Sequence, residues 1–202
     1  MIQLAPCSYA GPPFDHQSSI ADQIPADLLA VLRAVNGFVQ FGGGLHVRGV
    51  CRDPQWHSLE EAWRSATAIS RSYPNVEDSD VPFAQDCVAD QFLLRSGIVH
   101  RLFAETGAVE SLDVDLDGFL ASARKDPESY LGMGPLIQLQ RQGHQLAPGE
   151  VVHVYPPLCT KEASSGFSTK AIPVTEALAY LAQLSDQLSR LSDGAQFSIK
   201  VV

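Results

Sequence analysis

Residues 81–112 contain four short apolar runs: Val81-Pro82-Phe83-Ala84, Gln91-Phe92-Leu93-Leu94-Arg95, Ile98-Val99-His100-Arg101-Leu102-Phe103 and Val109-Glu110-Ser111-Leu112. Turn residues separate them, with Ser96-Gly97 as a two-residue hairpin connector and Thr106-Gly107 as a second turn. A two-residue connector can join only antiparallel strands. The segment therefore predicts an antiparallel meander with one face on a core and one face in water.

The charge of the chain is concentrated on this meander. Residues 77–117 hold ten acids against two bases, Arg95 and Arg101, which is -8 of the net -9 carried by all 202 residues. Placed on a wet sheet face, these acids keep the protein soluble, or they form an electrostatic docking face for a basic partner. The candidate contacts are Glu77, Asp78, Asp80, Asp86, Asp90, Asp113 and Asp115. Asp117 is expected to cap a helix through Phe119, Leu120 and Ala123 that ends or kinks at Asp126-Pro127.

Before the meander, residues 1–23 read as an irregular lead-in. Pro25 then opens a helix carrying Ile24, Leu28, Val31, Leu32 and Val35 on one face, stopped by Asn36-Gly37. Residues 38–41 and 45–50 predict a hairpin around Gly42-Gly43-Gly44. Ser58 and Glu61 have capping-box spacing ahead of the stripe Leu59, Ala62, Trp63, Ala66 and Ile69. After the meander, residues 136–140 and 151–155 are expected as strands and 161–170 as a mobile polar loop. Pro173 then starts a long helix with Leu178, Leu181, Leu184, Leu188 and Leu191 on one face, expected to pack on its own sheet rather than on a second subunit. Asp193-Gly194 is expected to stop that helix, and residues 196–202 to form a last strand. The fold class is α+β, with helices packed on a mainly antiparallel sheet and a C-terminal helix–strand extension. The whole chain, residues 1–202, is expected to be one domain with its core in residues 20–131 and the extension in 132–202.

Several classes of function are disfavoured. No apolar run approaches the roughly 20 residues of a membrane-spanning helix. The first seven residues lack the basic charge and apolar core of a signal peptide, so a cytoplasmic compartment is expected. Cys7, Cys51, Cys87 and Cys159 are too scattered for a zinc knuckle and are expected as reduced thiols. An isoelectric point near 5.0 argues against nucleic acid or an anionic membrane as partner. The Gly triplet lacks the tail of a phosphate-binding loop. Asp113-Val114-Asp115-Leu116-Asp117-Gly118 matches half of a calcium loop, but its twelfth position is Arg124. The six histidines show no metal-site spacing and no nucleophile motif is present, so no catalytic residue, metal or cofactor is assigned.

Two blocks carry a family resemblance. Ile24-Pro25-Ala26-Asp27-Leu28-Leu29 running into Val35-Asn36-Gly37 resembles the opening of the SUKH superfamily, which includes the Smi/Knr cell-wall synthesis regulators of yeast. Val81-Pro82-Phe83-Ala84-Gln85-Asp86, Ala89-Asp90-Gln91-Phe92-Leu93-Leu94 and Asp117-Gly118-Phe119-Leu120 resemble its later strand pair and helix, with Ala89 where many members carry glycine. The resemblance covers about residues 20–131 and implies an α+β domain without catalytic residues. Bacterial members are immunity proteins that bind and neutralise polymorphic toxins, many of them nucleases. The expectation is a non-enzymatic protein-binding module, monomeric or weakly oligomeric, whose partner is a toxin with a basic surface. A regulatory or adaptor protein of the cell-wall type is the alternative. A third reading, a hydrolase, requires a buried carboxylate or histidine cluster in a deep pocket.

Overall fold

The computed structural model describes residues 7–191. Among them, seven strands form one antiparallel sheet in chain order: β1 Cys7–Ala10, β2 Phe38–Gln40, β3 Leu45–Val47, β4 Val81–Asp86, β5 Gln91–Arg95, β6 Ile98–Leu102 and β7 Val109–Ser111. A separate hairpin pairs β8 Glu150–Tyr155 with β9 Ser168–Pro173. The helices are α1 Ala26–Ala34, α2 Leu59–Arg64, α3 Ile69–Ser72, α4 Leu116–Lys125, α5 Pro127–Tyr130, α6 Gly134–Arg141 and α7 Val174–Leu188. The protein is α+β.

Local chemistry explains most of these elements. α1 buries Leu28, Val31 and Leu32 and ends at Val35, whose backbone is extended, so the expected left-handed stop at Asn36-Gly37 falls in the turn beyond it, where Gly37 has a φ of 74°. Ser96 and Gly97 both have positive φ, 51° and 83°, as the tight β5–β6 hairpin requires. Ser58 caps α2 through the Glu61 N–H, but only half of the capping box forms. The Ser58 N–H donates to the Gln55 carbonyl, and the Glu61 carboxylate accepts from the Thr67 hydroxyl. The Leu59-to-Ile69 stripe is broken at Ser65 into α2 and α3, though Leu59, Trp63 and Ile69 are all buried.

Five sequence expectations need correction. Part of the lead-in forms β1, which pairs with β2. Residues 136–140 lie in α6, where Leu136 and Leu139 are buried at helical spacing and Pro135 occupies the first turn. A short apolar run carries no period long enough to separate strand from helix. Residues 168–170 begin β9, held in register against β8 by the pairs Tyr155–Ser168 and His153–Lys170. The cap of α4 is Asp115, which accepts from the Gly118 N–H at 2.8 Å, whereas Asp117 lies inside the first turn. The expected helix stop at Asp193-Gly194 and the strand over residues 196–202 lie outside the described residues.

The fifth correction concerns the wet face. Alternate residues of β5 enter opposite apolar layers: Phe92 and Leu94 join Leu28, Leu32 and Phe119, while Leu93 joins Tyr73, Val174 and Leu181. The first layer is built from α1, α2, α4 and α6. The second is closed largely by the C-terminal segment, through Val151, Ile172, Val174, Ala177 and Leu181. β4 is buried along its whole length in consequence. Residues 132–191 therefore pack on both layers of the sheet, and α7 lies against its own chain.

Candidate functional site

The two-sided burial divides the seven candidate acids into two groups. Asp80, Asp86 and Asp90 are inside. The Asp80 side chain is 0% exposed and takes a bidentate contact from Arg95, Nε to Oδ1 at 2.8 Å and an Nη to Oδ2 at 2.6 Å. Asp86 and Asp90 share Arg101, which reaches Asp86 Oδ2 at 2.6 Å and Asp90 Oδ2 at 2.9 and 3.1 Å. Backbone N–H groups of Val88 and Asp90 fill Asp86 Oδ1, and that of Ala104 fills Asp90 Oδ1.

Burial pushes the Asp86 carboxyl above the ordinary range. The Asp90 charge adds to this, and Arg101 and the two backbone donors oppose it. Asp90 is raised by burial as well. Every acceptor of the cluster faces a donor, so these side chains knit the turn at residues 86–90 to β6 rather than offering themselves to a partner.

Glu77, Asp78, Asp113 and Asp115 are exposed, and the fold gathers them at one end of the sheet. Arg95 ties residues 77–80 to the β5–β6 hairpin, bonding Asp80 and lying 3.9 Å from Glu77. On the other side, Val99 and residues 112–114 exchange backbone bonds, Val99 N–H to Val114 and Leu112 N–H to Val99. Both acidic loops thus flank the Ser96-Gly97 tip, where Ile98 is 37% exposed. Glu110 and Asp117 extend the patch along β7 and α4, and neither has an ion pair among the described residues.

A second arrangement went unread in the sequence. His46 Nε2 lies 2.9 Å from His57 Nδ1, and His57 Nε2 lies 3.0 Å from the Asn36 carbonyl oxygen. That carbonyl can only accept, so His57 Nε2 carries a proton and its Nδ1 is a lone pair. His46 must then donate from Nε2, which leaves its own Nδ1 as an acceptor. Burial holds both rings neutral by lowering their pKa, His46 well below 6.5, and the Arg48 cation acts in the same direction. Close backbone fixes the His57 ring: a Cβ at Gly49 would meet its Nε2 at 2.7 Å and one at Gly37 would meet it at 2.6 Å. Arg48 itself is buried, and no carboxylate among the described residues pairs with it. Its guanidinium donates to the Pro82 carbonyl and to the side-chain oxygens of Gln85 and Gln91 at 2.7–2.8 Å, and burial lowers its pKa to about 10.

His46 and Gln85 line a cavity of about 250 Å³ with Trp56, floored by β1 to β4 and roofed by residues 145–151. A larger, open groove of about 500 Å³ lies beside α2, but its Ser18 and Ser19 hydroxyls are both spent on Glu60 at 2.7 Å. Eleven residues separate the two histidines, so no local motif announces them. The one sequence signal was His46 standing between Leu45 and Val47 in a strand. Among the described residues, no group of three or more His, Cys, Asp or Glu side chains could hold a metal ion. No helix among them is long and apolar enough to cross a membrane. Comparison with protein-family models, with curated proteins and with solved structures finds no match to this chain.

Proposed function

We propose that the chain is a cytoplasmic, non-enzymatic protein-binding module of the immunity type, which blocks a toxin by covering a basic surface with the acidic end of its sheet. The observation carrying this reading is the convergence of Glu77, Asp78, Asp113 and Asp115 on one hairpin end, around the exposed Ile98. An exposed apolar residue on a hairpin flanked by two acidic loops suits a partner that presents cations around an apolar contact. A nuclease that grips phosphate carries such a surface. Opposed fields of this kind raise association rates from about 10⁵–10⁶ to about 10⁸–10⁹ M⁻¹s⁻¹ at low salt. The resemblance of residues 20–131 to the SUKH superfamily points the same way.

The test is co-expression with the product of the gene adjacent to this chain's own. That product is expected to arrest growth alone and to be neutralised by this protein. The double variant Asp78→Lys/Asp113→Asn should lose protection and slow the association rate, most strongly at low salt. A neighbouring product that is harmless, or protection undiminished by the double variant, overturns the reading.

A further inference from the structure

The cavity beneath residues 145–151 presents hydrogen-bonding groups that the fold leaves unused. His46 is 5% exposed and Gln85 2% exposed, yet His46 Nδ1 and the Gln85 amide nitrogen have no partner among the described residues. The other end of each side chain is occupied, His46 Nε2 by His57 and the Gln85 oxygen by Arg48. Neither can therefore turn away to find a partner elsewhere. Register places the two residues directly opposite each other on β3 and β4, so their side chains stand side by side on one face, with Cβ atoms about 5 Å apart. An acceptor and a donor held next to each other in a wall of mixed polar and apolar groups form a recognition pattern.

We infer that this cavity binds a small, neutral, planar molecule carrying an N–H donor beside a carbonyl acceptor, of the lactam or pyrimidine-base kind. The ligand N–H donates to His46 Nδ1, and its carbonyl accepts from the Gln85 amide.

Each element of that description follows from the lining. Planarity follows from the Trp56 indole, whose ring lies 5.1 Å from that of His46 and forms an aromatic wall. Neutrality follows from the charges around it: the Arg48 guanidinium lies behind the wall, bonded to Gln85 at 2.8 Å, while the Asp86 and Glu150 carboxyls in the wall are already bound to Arg101 and to backbone N–H groups and repel an anion. A space of about 250 Å³ also exceeds the roughly 30 Å³ that one bridging water occupies. Gly149 makes the roof possible: it has a φ of 88°, and a Cβ there would meet the Trp56 ring at 3.0 Å.

The experiment is a two-dimensional ¹⁵N NMR titration of the full chain with 2-pyridone and, separately, with N-methyl-2-pyridone, whose donor is blocked. Saturable shifts of the Trp56 indole N–H and the Gln85 side-chain amide are expected with 2-pyridone, and binding of the methylated probe should be about tenfold weaker or worse. Ala147→Trp is expected to abolish the shifts while leaving the rest of the spectrum in place, because Ala147 is exposed at the cavity mouth. The inference is overturned if 2-pyridone causes no saturable shift. Equal affinity for the methylated probe, or binding that survives Ala147→Trp, overturns it as well.

Discussion

Arg101→Met is the substitution that most directly tests the division of the acids into internal and external groups. Methionine keeps an apolar stem against Phe103, whose ring centre lies 5.0 Å from the guanidinium carbon. It removes three charged hydrogen bonds, of 2.6, 2.9 and 3.1 Å, from two carboxylates that are 0% and 10% exposed. What remains is two buried carboxyl groups with only backbone N–H partners. Removing one partner of a buried pair costs about 3–5 kcal/mol, a large part of the roughly 5–15 kcal/mol that holds a domain together. The deficit must also depend on pH. Without Arg101, the folded-state pKa values of Asp86 and Asp90 rise further above their unfolded values. Such groups stabilise the fold at low pH and lose that contribution as pH rises through the folded pKa. Urea unfolding at pH 7.5 and at pH 5 should therefore show a loss of about 3–5 kcal/mol that shrinks at the lower pH. Adding Asp90→Asn to the variant should recover part of it. A loss below about 1 kcal/mol, or one equal at both pH values, refutes the argument that these acids are structural.

The remaining predictions use the same physical chemistry. Asp115→Ala should destabilise the protein by about 1 kcal/mol in thermal or urea unfolding and Asp117→Ala by less, because only Asp115 caps α4. Gly49→Ala should cost about 1–3 kcal/mol or more, since its Cβ would collide with the Asn36 carbonyl and the His57 ring. His46 and His57 have folded-state pKa values below the unfolded value, so below about pH 6.5 the unfolded chain takes up protons that the folded chain refuses. Stability should fall with pH through that window. Long-range ¹⁵N NMR should find both Nδ1 atoms unprotonated at pH 7, and a protonated His46 Nδ1 would contradict the hydrogen-bond directions assigned from His46 through His57 to the Asn36 carbonyl.

The elements that could be read in advance were those whose cause is local. Pro25 opens α1, Ser58 caps α2, and the positive φ of Ser96 and Gly97 follows from a two-residue hairpin. The strand meander at residues 81–112 was legible for the same reason. Residues 136–140 were not, because five residues do not distinguish a strand from one and a half helical turns. Asp80, Asp86 and Asp90 look no different from Asp78 and Asp113 in a list of charges. Their partners, Arg95 and Arg101, stand 11–15 residues away and meet them only through strand pairing.

Local sequence thus determined the meander, the turns, the helix ends and the concentration of negative charge in residues 77–117. Tertiary structure decided which of those charges face water. The C-terminal segment covers the second face of the sheet, and a buried carboxylate must find a cation or backbone donors while an exposed one need not. It also joined His46 to His57 and set Gln85 beside them under the loop at residues 145–151. Contacts between residues so far apart in the chain have no local cause, so no short window of sequence could carry them.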